Sequence, residues 1–205
     1  MKRFICLLLA IVCVLGLASC GGSELADFNE LVKGSAPTTI KTITTVVGEE
    51  VLNGVYVTDI DGDDFDFTYS YERYATIDDN ADSYVVTVDG VVYYKDGKFS
   101  EDGENWSASA PSVDMQKIDL LIDEKNFTEY TLSADGKTLV ATFSADASEA
   151  VLGRKISATG DITMTVKTNG IYLTFIYISY ESEVGLVTVD TSYTYAPVKE
   201  EAPQE

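Results

Sequence analysis

The stretch Asp161–Tyr195, which reads DITMTVKTNGIYLTFIYISYESEVGLVTVDTSYTY, decides the fold. Polar and apolar residues alternate along most of it, and this period of two is typical of β-strands. The pattern predicts strands over Gly160–Thr168, Ile171–Glu181 and Leu186–Tyr195. Asn169-Gly170 lies between the first two strands and supplies the positive φ that a tight hairpin requires. The end of the chain therefore predicts a three-stranded antiparallel meander.

The first two of these strands differ in how their faces are covered. The first has apolar side chains on one face and threonine or lysine on the other, which predicts one solvent-exposed side. The second is apolar on both faces, so we expect other parts of the chain to cover each of them. Its two predicted faces are Ile171, Leu173, Phe175 and Tyr177 on one side and Tyr172, Ile176, Ile178 and Tyr180 on the other.

The period of two extends backward through the chain to Ala36. β-Branched residues are frequent from 40 to 47, and strands are also predicted over Val51–Ile60 and Phe65–Ile77, with a turn over Asp61–Asp64 between them. Further pairs that predict tight turns are Asp89-Gly90, Asp96-Gly97, Asp102-Gly103 and Asp135-Gly136. These short, regularly punctuated runs indicate one long antiparallel meander.

Three segments show helical spacing instead. Leu25, Phe28, Leu31 and Val32 place a short helix over Ser23–Gly34, with Ser23 as its N-cap. The segments Val113–Asp123 and Ala145–Leu152 also have apolar residues at helical spacing, and Gly153 would end the second. Helices between strands predict an α+β fold rather than a pure β-sandwich.

The first twenty residues have the organisation of a secretory signal. Lys2 and Arg3 precede an apolar run from Phe4 to Leu17, which is shorter than the ~20 residues of a membrane span. The closing Leu-Ala-Ser-Cys resembles a bacterial lipobox, which implies cleavage before Cys20 and a thioether-linked lipid on that cysteine. The alternative is an ordinary secretory signal whose cysteine is incidental. Both interpretations predict that the protein lies outside the cytoplasm. With a lipobox, we expect a lipid anchor in the outer face of the cytoplasmic membrane, or on the periplasmic side if the host has an outer membrane.

This organisation divides the chain into four parts. We expect a signal peptide over residues 1–19, a lipidated Cys20 with a short tether and helix over residues 20–35, and a β-rich domain over residues 36–195. The last ten residues, 196–205, are acidic and proline-containing without periodicity, and we expect them to be disordered.

Composition excludes several classes of function. The chain has 34 acidic against 14 basic residues and a formal charge of −20, so nucleic acid is not an expected partner. It contains no histidine, which excludes Ser-His-Asp and Cys-His hydrolases and His-ligated metal sites. The three cysteines all lie within residues 1–20, so no disulfide is expected in the domain. We expect no enzyme activity, no cofactor and no bound metal.

Two clusters of polar or aromatic residues leave alternatives open. Asp59–Asp66 contains five aspartates that could supply oxygen ligands to calcium, but the spacing is not that of an EF-hand, and an acidic hairpin tip is the interpretation we prefer. Trp106 and the tyrosines could stack on sugar rings, or they could simply pack at half-buried strand positions.

The order of elements resembles the LolA-like fold, and more narrowly the LppX/LprG type of lipoprotein. The stretches that carry the resemblance are Val88–Gly97 running on to Trp106, Phe143–Leu152, and the closing meander. The resemblance implies a strongly curved antiparallel half-barrel with short helices on its concave side. It also implies a cavity that holds the acyl chains of a lipid or lipoglycan during transport.

The segments predicted as late helices are the expected lining of such a cavity. The residues we expect to contact acyl chains are Leu120, Leu121, Ile122, Phe127, Val151, Leu152, Phe175 and Tyr177. The alternative is an ordinary packed core without a cavity. The sequence therefore predicts an anchored protein that binds or carries an acylated lipid or lipoglycan, or, in the second interpretation, a non-catalytic surface lipoprotein that recognises protein or cell-wall glycan.

Overall fold

The computed structural model describes residues 21–76 and 83–197. The predicted signal peptide, Cys20 and residues 198–205 of the predicted tail lie outside the described residues. Within the described ranges, no helix is both long and apolar enough to cross a membrane.

The described chain forms one open, curved, antiparallel sheet of ten strands, with two short α-helices. The strands are β1 Thr39–Val47, β2 Val51–Asp61, β3 Asp64–Thr76, β4 Ser83–Lys95, β5 Lys98–Ser100, β6 Glu129–Leu132, β7 Thr138–Phe143, β8 Ile162–Thr168, β9 Leu173–Ser182 and β10 Gly185–Thr194. Neighbours in the sheet follow the order β5-β4-β3-β2-β1-β10-β9-β8-β7-β6, so β1 and β10 join an N-terminal meander to a C-terminal one.

The predicted C-terminal meander is confirmed as strands β8, β9 and β10. In β8 the alternation of faces is also confirmed, because Ile162, Met164 and Val166 are completely buried. In β9 the predicted alternation of faces is wrong at Leu173. The register shifts between Lys167 and Thr168, and Leu173 is buried in the same core as Ile176 and Ile178 instead of sharing a face with Phe175. A bulge inserts one extra residue and so reverses the face on which the preceding side chain lies.

Most of the predicted turns are confirmed. Gly62, Gly97, Gly136 and Gly170 all have positive φ between paired strands. The turn predicted at Asp89-Gly90 is wrong, because both residues lie inside β4.

Helix α1, Gly21–Lys33, confirms the N-terminal helix. Its predicted buried face is largely correct, since Leu25, Phe28 and Val32 are each less than 7% exposed. The Gly34 N–H donates to the Glu30 carbonyl at 2.9 Å, as expected at a helix end. The helix already includes Gly21, so it begins two residues before the predicted start at Ser23.

The segment Ala145–Leu152 is also confirmed, as a 3₁₀ turn followed by α2, Ser148–Leu152, with Gly153 at a φ of 68°. The helix predicted over Val113–Asp123 is wrong. Its backbone bonds to other elements, with the Asp119 N–H donating to the Leu152 carbonyl and the Leu121 N–H to the Val151 carbonyl. Helical spacing of apolar residues arises here because the segment packs against two different cores in turn.

The buried side chains form two separate cores on the sheet. The C-terminal core gathers α1, α2 and strands β7 to β10 around Phe143, Leu152 and Met164. The N-terminal core is smaller and aromatic, with Tyr56 stacked against the fully buried Phe67. The segment between β5 and β6 contacts both cores, through Val113 and Met115 at one end and Ile118 and Leu120 at the other.

Candidate functional site

A cavity of about 540 Å³ lies between the two cores. The C-terminal end of α1 and β9 form one wall, strands β1, β2 and β10 form the floor, and residues 115–120 form the opposite side. Its lining residues are Val32, Lys33, Ser35, Pro37, Ile40, Thr42, Tyr56, Thr58, Ile60, Asp63, Asp64, Phe65, Met115, Gln116, Lys117, Ile118, Asp119, Leu120, Leu173, Thr191 and Tyr193.

The floor of the cavity comes from the junction of the two meanders. Thr42 on β1 lies directly opposite Thr191 on β10, and Ile40 lies opposite Tyr193. The Thr42 and Thr191 side chains are 3% and 1% exposed, and their hydroxyl oxygens are 3.0 Å apart, within hydrogen-bond distance. β-Branched threonine suits a strand interior, while its hydroxyl brings a polar group into an otherwise apolar wall.

Residues 113–120, which we call the strap, cover the floor. An ion pair joins Arg154 Nη2 to Asp114 Oδ2 at 2.8 Å, and Arg154 Nη1 donates to Gln116 Oε1 at 3.1 Å. Within the strap, the Asp114 carboxylate accepts from the Gln116 N–H at 2.9 Å, and Gln116 has a φ of 53°. These bonds connect the strap to the end of α2, and Met115 and Ile118 of the strap line the cavity.

None of the charged residues that line the cavity is buried. Asp63 is exposed and Asp64 is half-buried. Lys117 pairs with Asp119 at 3.0 Å, and both side chains are more than 60% exposed. Lys33 is exposed at the end of α1. Such exposed pairs are solvated and contribute little to stability, and the buried residues of the lining are all uncharged.

Two tyrosines of the floor remain neutral over a wide pH range. Burial raises the pKa of Tyr193 well above its usual value, and Tyr195 and Asp119 raise it further by electrostatic repulsion. Burial likewise raises the pKa of Tyr56, partly offset by a hydrogen bond with Thr44. A buried phenol resists ionisation because the phenolate loses its hydration.

The residues predicted to line the cavity are placed in three different environments. Leu120 lines the cavity, while its neighbour Leu121 is 39% exposed and does not. Ile122, Val151 and Leu152 are buried inside the C-terminal core, and Phe127 packs against that core. Phe175 and Tyr177 are opposite Ser192 and Asp190 of β10, on the face of the sheet away from this core.

Sequence reasoning missed the floor residues on β1, β2 and β10. Their signal in the sequence is weak, because Thr42, Thr58 and Thr191 look like ordinary strand threonines. Only the pairing of β1 with β10, which are separated by about 150 residues, brings Thr42 and Thr191 together.

A second, more open cleft of about 480 Å³ lies at the tip of the β2–β3 hairpin. Asp59 and Asp66 are directly opposite each other there, and Tyr93 and Trp106 line the same cleft. The loop that carries Trp106 is held by Asp102, whose carboxylate accepts from the Glu104 and Asn105 N–H groups. No group of three or more carboxylates in the described residues is arranged to hold a metal ion.

Comparisons with known proteins give little similarity. No family model matches the chain, and no curated protein matches it. One solved structure with a weak likeness is the dehydratase domain from the CurF module of curacin polyketide synthase. It is 8% identical over 85% of this chain and 80% of that chain, with a TM-score of 0.22. This likeness is too low to support an argument about fold or activity.

Proposed function

We propose that this chain is a lipid-anchored, extracytoplasmic lipoprotein of the LolA-like type that binds or carries an acylated lipid or lipoglycan. The acyl part of the cargo occupies the cavity between the two cores. Binding is non-covalent and uses no cofactor and no catalytic step.

The observation that carries this proposal is the cavity itself. Its volume of about 540 Å³ falls within the ~300–1,000 Å³ typical of small-molecule sites. Phe65, Ile118 and Leu173 give it apolar walls on three sides, and none of its charged lining residues is buried. Each methylene transferred into such a site contributes ~0.8 kcal/mol, so an acyl chain is held without any charged contact.

The position of α1 relates the cavity to the proposed anchor. The helix begins at Gly21, the residue after Cys20, and Val32 near its other end lines the cavity. Eleven residues at ~1.5 Å each separate these two points by about 16 Å along the helix axis. A domain lipidated at Cys20 would therefore hold its cavity about one helix length from the anchor.

Native mass spectrometry of residues 21–205, which contain every described element, tests the proposal. We expect a co-purifying mass that acyl-lipid extraction removes. Leu120→Trp fills the cavity with a larger side chain and should abolish this mass, while Leu121→Trp changes the exposed neighbour and should retain it. A bare mass for the unmodified chain, or equal loading of both variants, would contradict the proposal.

The second cleft favours a second candidate, recognition of cell-wall glycan. Aromatic rings such as Trp106 and Tyr93 beside carboxylates can stack on sugar rings and accept from their hydroxyls. Trp106 is the single tryptophan of the chain, so its fluorescence reports directly on the cleft. Saturable quenching by soluble wall polymer, absent in Asp59→Asn with Asp66→Asn, would support glycan binding, and no quenching would exclude it at this cleft.

A further inference from the structure

The walls of the cavity between the two cores differ in chemistry. The strap, α1 and β9 contribute apolar side chains, including Val32, Ile118 and Leu173. The strands of the floor contribute hydroxyl groups, from Thr42, Thr58 and Thr191 and from the phenol of Tyr193. A ligand that fits both sides has a hydrogen-bonding group within its apolar part.

The two hydroxyls of the Thr42–Thr191 pair carry one more proton than the hydrogen bond between them uses. Each hydroxyl has one proton to donate and two lone pairs. The hydrogen bond between the two oxygens uses one proton, whichever residue donates it, and no other bond of either hydroxyl is found among the described residues. The second proton is therefore available at a position that is at most 3% exposed and that lines the cavity.

The surroundings of this pair select a neutral partner. Tyr193 lies next to the pair on the same face of β10, and its burial keeps the phenol protonated. None of the charged lining residues is buried. A free hydroxyl donor in a mostly apolar wall can donate to a neutral oxygen at little cost, whereas a carboxylate or phosphate would lose most of its hydration there.

We propose, on the basis of the carrier function above, that the cavity takes the ester end of an acyl chain and not only its hydrocarbon tail. The carbonyl oxygen of the ester accepts a hydrogen bond from the Thr42–Thr191 pair. The two threonines are then the specificity-determining residues for ester-linked acyl groups over alkyl chains.

Two probes with the same glycerol head and a twelve-carbon chain isolate the carbonyl group. Monolauroyl glycerol carries the chain as an ester, and 1-O-dodecyl glycerol carries it as an ether without a carbonyl. Calorimetric titration of residues 21–205 with each probe, below its critical micelle concentration, gives the ratio of the two dissociation constants. We expect the ester to bind about three- to ten-fold more tightly, which is the range of one neutral hydrogen bond.

The double variant Thr42→Val with Thr191→Val removes both hydroxyls and keeps the shape of the side chains. Replacing both partners of a buried hydrogen bond by apolar groups of the same shape is close to neutral for folding. The matched control is Thr45→Val with Thr188→Val, a directly opposite pair of the same two strands, three residues away from the floor pair on each strand. We expect the ester preference to fall to about one-fold in the first variant and to remain in the second.

Each outcome separates this inference from the carrier function. An ester preference in the unmodified chain that is lost only with Thr42 and Thr191 supports the inference. Equal binding of both probes, or a preference that survives the loss of both hydroxyls, overturns it and leaves the carrier function standing. Binding of neither probe overturns both.

Discussion

Gly90 shows at the scale of one residue why an Asp-Gly pair does not always form a turn. It lies directly opposite Tyr69 in the sheet, and a Cβ atom at Gly90 would be 2.2 Å from the Tyr69 hydroxyl oxygen. The glycine is therefore required by the aromatic ring that covers it, within a strand. The sequence contains both residues, but nothing in it states that they are cross-strand partners.

The first prediction follows from this contact. Gly90→Ala forces the Tyr69 ring out of its position in the N-terminal core, and we expect a loss of about 1–3 kcal/mol in the free energy of unfolding. Urea denaturation measures it. Gly160→Ala is the control, because no atom lies within 4 Å of the Cβ it would add and Gly160 has no positive φ. A loss below 0.5 kcal/mol, about the size of an ordinary surface effect, would show that the ring moves aside freely.

Tyr193 leads to a prediction about pH. Its pKa is raised in the folded state, so the fold binds this proton more tightly than the unfolded chain does. The resulting stability is fully present below the ordinary tyrosine pKa of about 10 and is lost as the pH rises above that value. We expect the free energy of unfolding to fall between pH 10 and 12, and to fall less in Tyr193→Phe, which has no proton to lose.

Urea denaturation at a series of pH values between 7 and 12 measures this difference. Parallel slopes for the unmodified chain and Tyr193→Phe would contradict the effect of burial on Tyr193.

At the scale of elements, the periodicity of apolar residues predicts the structure of a segment that packs on a single core or sheet. It fails for a segment that packs on two cores. For the six strands whose bounds were predicted, β1 to β3 and β8 to β10, the bounds are correct to within about two residues. Helix α1 packs on one core, and its buried face was also predictable. The conformation of the strap was not predictable in this way, because Met115 packs against the N-terminal core and Ile118 against the C-terminal core. Apolar residues spaced for two neighbouring cores imitate the spacing of one helix face.

The strap gives the third prediction. Arg154 joins it to the end of α2 through Asp114 and Gln116, and the Arg154 side chain is 31% exposed. Arg154→Gln should therefore change the free energy of unfolding by less than about 1 kcal/mol, since solvent screens this pair. It should nevertheless open the strap locally, and we expect several-fold faster hydrogen exchange in residues 115–118 than in the unmodified chain.

Lys125→Gln provides the control for the strap, because it removes an exposed ion pair with Asp123 that lies beyond the cavity. Exchange in residues 115–118 should be unchanged in that variant. Equal exchange in Arg154→Gln and the unmodified chain would show that backbone bonds to α2 hold the strap without the arginine.

At the scale of the whole molecule, the cavity depends on the gap between the two cores, which no local sequence pattern predicts. The sequence predicted one long antiparallel meander, and the structure instead divides it into two meanders of the same sheet. The sequence did not predict that β1 would pair with β10 and leave two cores on one sheet with a hollow between them. The lining therefore comes from segments between Val32 and Tyr193, and only Leu120 of the residues predicted to contact a ligand is among them.

Because the cavity touches both cores, a bound ligand should stabilise the molecule as a whole. A ligand that binds only the folded state adds ~2.7 kcal/mol at one hundred times its dissociation constant, which corresponds to a rise in Tm of about 5–10 °C for a chain of this size. We expect monolauroyl glycerol to produce this rise in residues 21–205 and in Leu121→Trp, measured by differential scanning calorimetry. Leu120→Trp should show no rise, because its cavity is filled. If the ligand raised the Tm of Leu120→Trp as much as that of Leu121→Trp, it would be binding elsewhere on the sheet, and the hollow between the two cores would not be its site.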